Sequence, residues 1–133
     1  MSVIALRYSS FMLAILLSVP NTFAVADIIK AESLLPAQAD DLYTERKAVI
    51  IDVREDGEWN SQHIPNAIHI PLGQLAKRLP ELEQYKNSAI VTQCRTGKRS
   101  LQALKLLKSA GFTQVYNMEG GLKAWQNTGL GVQ

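Results

Sequence analysis

Ala48-Val49-Ile50-Ile51-Asp52-Val53 is a continuous run of mostly β-branched apolar residues, interrupted only by one carboxylate near its end. A strand with one solvated face alternates apolar and polar side chains, and this one does not. It has the pattern of a strand buried on both faces, as in a parallel sheet covered by helices. Ala89-Ile90-Val91-Thr92-Gln93 is a second such run, and Thr113-Gln114-Val115-Tyr116-Asn117 a weaker third. Ala67-Ile68-His69-Ile70, fenced by Pro65 and Pro71, is a short fourth, and Ile28-Ile29 starts a further one. Helical signals fall between these runs. Leu101, Leu104, Leu106 and Leu107, with Lys105 and Lys108, predict an amphipathic helix that ends at Gly111. Leu72, Leu75, Leu79 and Leu82 keep helical spacing over 72–85, where Pro80 must bend or break the helix. Residues 55–60 and 121–127 are short helical candidates, and 31–46 is another, broken at Pro36. Strands alternating with helices predict an α/β layer fold around a mostly parallel sheet.

Composition agrees. The chain has 133 residues, 47% hydrophobic and 20% charged, enough for one domain with a core and too apolar for wholesale disorder. Its formal net charge of +2 argues against a protein that coats nucleic acid or an anionic membrane. One cysteine excludes an internal disulfide framework and any multi-cysteine metal site, and His63 and His69 are too few for a His-rich one. No metal or organic cofactor is indicated.

Residues 1–26 read as an address. Arg7 is their only charge, the apolar run Phe11–Val19 follows, and Ala24 and Ala26 close the segment in a small-x-small pattern. These are the three parts of a secretory signal peptide, predicting cleavage after Ala26, a periplasmic location and no stable membrane insertion thereafter. An uncleaved anchor is the alternative, but the apolar stretch is short of the roughly 20 residues a spanning helix needs. Residues 27–133 then form one exported domain. In an oxidising compartment its single thiol must be buried, protected or used.

Cys94-Arg95-Thr96-Gly97-Lys98-Arg99-Ser100 lies between a strand end and a helix start, where open α/β sheets bind ligands. A loop with Gly97 can curl its N–H groups towards one point, and the helix dipole adds to that anion nest. Arg95, Lys98 and Arg99 bring three positive charges close to the sulfur. All of these favour thiolate over thiol at Cys94, with no general base required. Cations at a helix N-terminus oppose its dipole, which suits a site that binds an anion. A buried, inert thiol beside a solvated helix start is the bland alternative. A protease-type Cys/His pair fits poorly, because nothing brings His63 to Cys94. A Cys-x5-Arg phosphatase would need Arg at position 100, where this chain has Ser100. The shorter ring favours a bound sulfur over a phosphoryl group. An arsenate reductase would want a second, resolving cysteine.

With these motifs in view, residues 27–125 resemble a single-domain rhodanese. The resemblance rests on Ile51-Asp52-Val53-Arg54 with Glu55 and Trp59, on His63-Ile64-Pro65-Asn66-Ala67 leading to Ile70-Pro71-Leu72, and on the Cys94 loop. Gly111-Phe112 and Glu119-Gly120-Gly121-Leu122-Lys123-Ala124-Trp125 complete it. Gln62 and Asn66 stand where the family usually has glycine, and Asn66 suits a turn with positive φ. The resemblance implies a three-layer fold with a five-stranded sheet and helices on both faces. It implies a thiosulfate sulfurtransferase in which Cys94 carries the sulfur as a persulfide. Arg95, Thr96, Gly97, Lys98, Arg99 and Ser100 would then bind the donor, thiosulfate or another sulfane, and cyanide, a small thiol or a protein would accept. A persulfide carrier that serves one partner protein is the alternative. Asp52 and Arg54 are either a framework ion pair or a pair that tunes the site. Trp59 and Trp125 read as core aromatics, His63 as an anchor for the turn before Pro65, and His69 as a strand residue with no evident partner.

Overall fold

The structure is a computed structural model, which describes residues 32–133. Five parallel strands, β1 (Ser33–Leu34), β2 (Ala48–Asp52), β3 (Ile68–His69), β4 (Ala89–Gln93) and β5 (Gln114–Met118), form one sheet in the order β1-β5-β4-β2-β3. Between them run α1 (Pro36–Thr44), α2 (Asp56–Ser61), α3 (Leu72–Arg78), a 3-10 segment (Leu79–Tyr85), α4 (Lys98–Ser109) and α5 (Gly121–Asn127). The fold is the expected α/β three-layer arrangement. β2 and β4 lie centrally in register, from Ala48 opposite Ala89 to Asp52 opposite Gln93.

Both faces of the sheet are covered, and the unbroken apolar runs follow from that. Ile51, Val53, Ile90 and Val115 pack on one side with Leu75, Leu82, Leu104, Leu107 and Phe112. Ile50 and Val91 pack on the other with Ala39, Ile64, Met118, Leu122 and Trp125. Successive residues of one strand thus enter two separate cores. α3 and α4 cover the first face, and α1 and α5 the second.

Several expectations are corrected in detail. Residues 31–46 are not one interrupted helix. Ser33–Leu34 pair with Asn117 and Met118 as edge strand β1, and α1 begins at Pro36, whose fixed φ and missing N–H suit a first helical turn. Ile28-Ile29 lies outside the described residues, so Ser33–Leu34 is the fifth strand seen here. The 72–85 segment changes helix type: α3 ends at Arg78, and a tighter 3-10 turn continues around Pro80. Residues 113–117 and 67–70 become the strands Gln114–Met118 and Ile68–His69. Asn66 has φ of 60°, as expected of the asparagine at that turn. No helix among the described residues is long and apolar enough to cross a membrane.

Candidate active site

β4 delivers Cys94 at the carboxyl end of the sheet's middle strand, and the chain then curls through Arg95–Gly97 into α4. Gly97 caps that helix with φ of 103°, a conformation that side chains disfavour. The curl turns donors inward. The Gly97 N–H donates to Cys94 Sγ at 3.1 Å, and the Ser100 hydroxyl donates to it at 3.3 Å. Cys94 is 1% exposed and Ser100 is fully buried, so no water competes freely for these bonds.

The inward amides depend on what holds the carbonyls outward. The Leu122 and Lys123 N–H groups, in the first turn of α5, donate to the carbonyls of Cys94 (2.8 Å) and Arg95 (3.1 Å). Gln93 Nε2 also donates to the Cys94 carbonyl, at 2.6 Å. Asn117 Nδ2 reaches the Gly97 carbonyl at 3.4 Å, and Thr92 Oγ1 donates to the Ser100 carbonyl at 2.9 Å. α5 can approach this closely because Gly121 has no side chain. A methyl there would overlap the Cys94 carbonyl oxygen and the Arg95 peptide.

Two opposing effects act on the thiol. Burial raises its pKa, as it does for any group that must ionise away from water. The Ser100 hydroxyl and the amides of Ser100, Gly97 and Thr96 lower it, and together they prevail, leaving Cys94 more acidic than an ordinary cysteine. The donors that favour ionisation of Cys94 are thus hydrogen bonds of the loop and of Ser100.

The three loop cations do not act alike. Arg95, Lys98 and the neighbouring Thr96 are exposed, and neither cation has an ion-pair partner among the described residues. Arg99 is half-buried and bound in bidentate fashion to Glu58 of α2, at 2.7 and 2.8 Å. This bond lowers the Glu58 pKa to about 2 and raises that of Arg99, which also senses the Cys94 charge.

Asp52 and Arg54 form a buried ion pair below this corner, with Arg54 Nη2 2.7 Å from Asp52 Oδ2 and Nε 3.0 Å from both carboxylate oxygens. Arg54 also donates to the carbonyls of Glu58 (3.3 Å) and Gln62 (2.8 Å), and so fixes the far end of α2. Its guanidinium reaches one wall of a cleft of about 360 Å³ beside the loop. Glu58 and Gln62 share that wall, and Arg95, Lys123 and Gln126 line the other.

The histidines are elsewhere engaged. Trp59 is sandwiched between His63 and His69, with ring centroids 3.7 and 4.7 Å apart and planes nearly parallel. It is half-buried beside the site and belongs to neither core, whereas Trp125 is a core aromatic at 2% exposure. His63 anchors its turn as expected, its Nδ1 lying 2.9 Å from the Trp59 carbonyl while its backbone exchanges two hydrogen bonds with Gln133. His69 does have a partner: its Nε2 donates to the Arg54 carbonyl at 2.8 Å.

Sequence reasoning passed over Glu58, Gln93 and Asn117, and it left the Gly120-Gly121 motif without a job. Glu58 meets Arg99 across 41 positions, so no local spacing announces the pair. Gln93 and Asn117 did carry a signal, since each is a polar residue closing a run otherwise read as a buried strand.

Comparison with known proteins agrees with this geometry. Residues 35–128 match the model of the rhodanese-like domain, and the chain belongs to that family. YrkF of Bacillus subtilis (strain 168), which bears a sulfur-carrier name, is 42% identical over 57% of this chain and 40% of its own. A protein named sulfurtransferase from Allochromatium vinosum is 35% identical over 77% of this chain and 90% of its own. Of the curated relatives YrkF, YqhL and slr1261, this chain spans only 40%, 62% and 54%. The crystal structure of a rhodanese-related protein from Thermoplasma volcanium superposes with a TM-score of 0.70 at 27% identity, covering 77% of this chain and 97% of that one. The family is thus one of sulfurtransferases and sulfur carriers.

Proposed function

We propose that this protein is an exported thiosulfate sulfurtransferase that works through a persulfide on Cys94. The observation that carries the reading is a buried sulfur receiving hydrogen bonds from the Gly97 amide and the Ser100 hydroxyl. Such a sulfur ionises more readily than that of an ordinary cysteine, and it is too enclosed to react with bulky electrophiles. The Cys94 thiolate attacks the outer sulfur of thiosulfate, forming a new S–S bond. The old S–S bond breaks, and its electron pair departs on sulfite. The outer sulfur then carries the negative charge, stabilised by the donors that faced the thiolate. A thiophile such as cyanide, or an acceptor thiolate, attacks that sulfur and returns Cys94 to thiolate. Exposed Arg95, Lys98 and Lys123 supply a positive entrance for the dianionic donor and help sulfite to leave.

Thiocyanate production from thiosulfate and cyanide tests this, with Cys94→Ser alongside and intact mass recorded after loading. The expected result is turnover and a one-sulfur mass gain in the parent protein, both absent from the variant. Mass gain without turnover favours the second reading, a persulfide carrier for one protein partner, which the sulfur-carrier name of YrkF supports. Absence of both sinks the proposal.

A further inference from the structure

Glu58 is an anomaly in a site that handles anions. Its carboxylate stands on the wall of the cleft beside the Cys94 loop, where it would repel a dianionic donor if its charge were free. The charge is not free. Both oxygens hold the Arg99 guanidinium in parallel bonds of 2.7 and 2.8 Å, a geometry that fixes direction as well as distance. Glu58 is itself fixed, because its backbone carbonyl takes a bond from Arg54 and its side chain closes the capping box with the Glu55 amide. Arg99 lies one residue before Ser100 in the first turn of α4, and its charge couples to that of Cys94.

From this arrangement we infer that Glu58 is a positioning residue which sets the electrostatic potential at Cys94: it holds the Arg99 guanidinium towards α2 and cancels most of its charge at the sulfur. The inference rests on the reading of Cys94 as a reactive thiolate in a donor site. Of the three loop cations, only Arg95 and Lys98 then act at full strength. A softer field has a chemical purpose. A thiolate held too acidic is a weaker nucleophile, and sulfite must leave as readily as thiosulfate arrives. The other charged groups near this corner are Glu55, which also acts on Arg99, Lys123 across the cleft, and Asp52 and Arg54, which pair with each other.

The test compares alkylation of Cys94 by iodoacetate, an anion, with that by neutral iodoacetamide. Their rate ratio reports the potential at the sulfur without any sulfur transfer. In Glu58→Gln an uncancelled Arg99 should raise the ratio about threefold or more at low ionic strength. It should also move the iodoacetamide pH midpoint to lower pH and reduce KM for thiosulfate more than it changes kcat. Arg99→Gln should lower the ratio, because it leaves the Glu58 charge uncancelled, and adding Glu58→Gln to Arg99→Gln should return it towards the parent value. A brace with no electrostatic role would give the opposite sign, because a loosened loop loses its donors and the midpoint rises. That outcome overturns the inference, as does a double variant whose ratio stays as low as that of Arg99→Gln. Should Glu58→Gln fail to fold, the Arg99→Gln single variant and the double variant, whose facing amide and guanidinium-free side chain carry no net charge, still decide: a ratio that does not fall in Arg99→Gln overturns it. If the ratios move as expected but thiosulfate gives no turnover, the inference stands and the proposed function fails.

Discussion

Ser100 has one hydroxyl proton and aims it at a sulfur, from a position with no exposed surface. In an ordinary first helical turn that hydroxyl would face water or a backbone carbonyl, and its removal would cost little. Here it stabilises the charged form of Cys94 against the burial that opposes ionisation. Ser100→Ala should therefore raise the Cys94 pKa. The thiolate forms as pH rises through that value, so the variant needs a higher pH for the same reactivity. A hydrogen bond to a charged group contributes about 1.5–3 kcal/mol, which predicts a loss of roughly tenfold or more in alkylation rate near neutral pH. The rate should recover at a pH where both proteins are fully ionised. A uniform loss at every pH would mean that Ser100 shapes the loop without tuning the thiol.

Elements meet at this loop in a way that single residues do not disclose. The first-turn amides of α5 hold the Cys94 and Arg95 carbonyls outward, which leaves the loop's own amides facing in. Gly121 is the hinge of that contact, with φ of 59° and no room for a methyl against the Cys94 carbonyl. Gly121→Ala should lower stability by about 2–3 kcal/mol through combined strain and overlap, and should cut kcat/KM by about a hundredfold as the amides lose their aim. Gly73→Ala in α3 makes a fair control, since it has ordinary φ and open space, and should cost nothing in either assay. Equal behaviour of the two variants, in thermal melts and turnover, would remove α5 from the account. The same level shows why part of the molecule was legible in sequence and part was not. β2 and β4 announced themselves because strands buried on both faces do not alternate apolar with polar residues, and their polar residues fall only near the carboxyl end. The Cys94 loop was legible because its glycine, cations and flanking elements all bear on one thiol. Asn66 was legible because a left-handed turn admits few residue types. β1 was not, since two residues become a strand only through pairing with β5. Trp59 was misplaced because an aromatic at helical spacing does not say that two imidazoles will enclose it.

At the scale of the whole molecule, half of the cations among the described residues are neutralised by a carboxylate and half are not. Lys47, Arg54, Arg78, Lys86, Arg99 and Lys108 are each paired with a carboxylate, whereas Arg46, Lys77, Arg95, Lys98, Lys105 and Lys123 have no such partner among the described residues; of these, Arg95 and Lys123 line the cleft and Lys98 is exposed on the Cys94 loop. The near-neutral total of +2 thus conceals a positive mouth. The other molecular question is the leader. The Asn117 amide bonds the Glu32 carbonyl, and Glu32 pairs with Lys108, so the chain just before β1 is tied to the domain. We propose that residues 1–26 are removed as an export leader, as their sequence pattern predicts, and that the domain folds without them. Exported protein should begin at Asp27 by intact mass, and a chain of residues 27–133 should melt within about 2 °C of the full chain, since even 1 kcal/mol moves Tm by several degrees at this size. An unprocessed mass in the membrane fraction would replace cleavage with anchoring. A lower Tm for the shortened chain would mean that residues before Asp27 pack onto the domain, and the leader would then be part of the fold as well as an address.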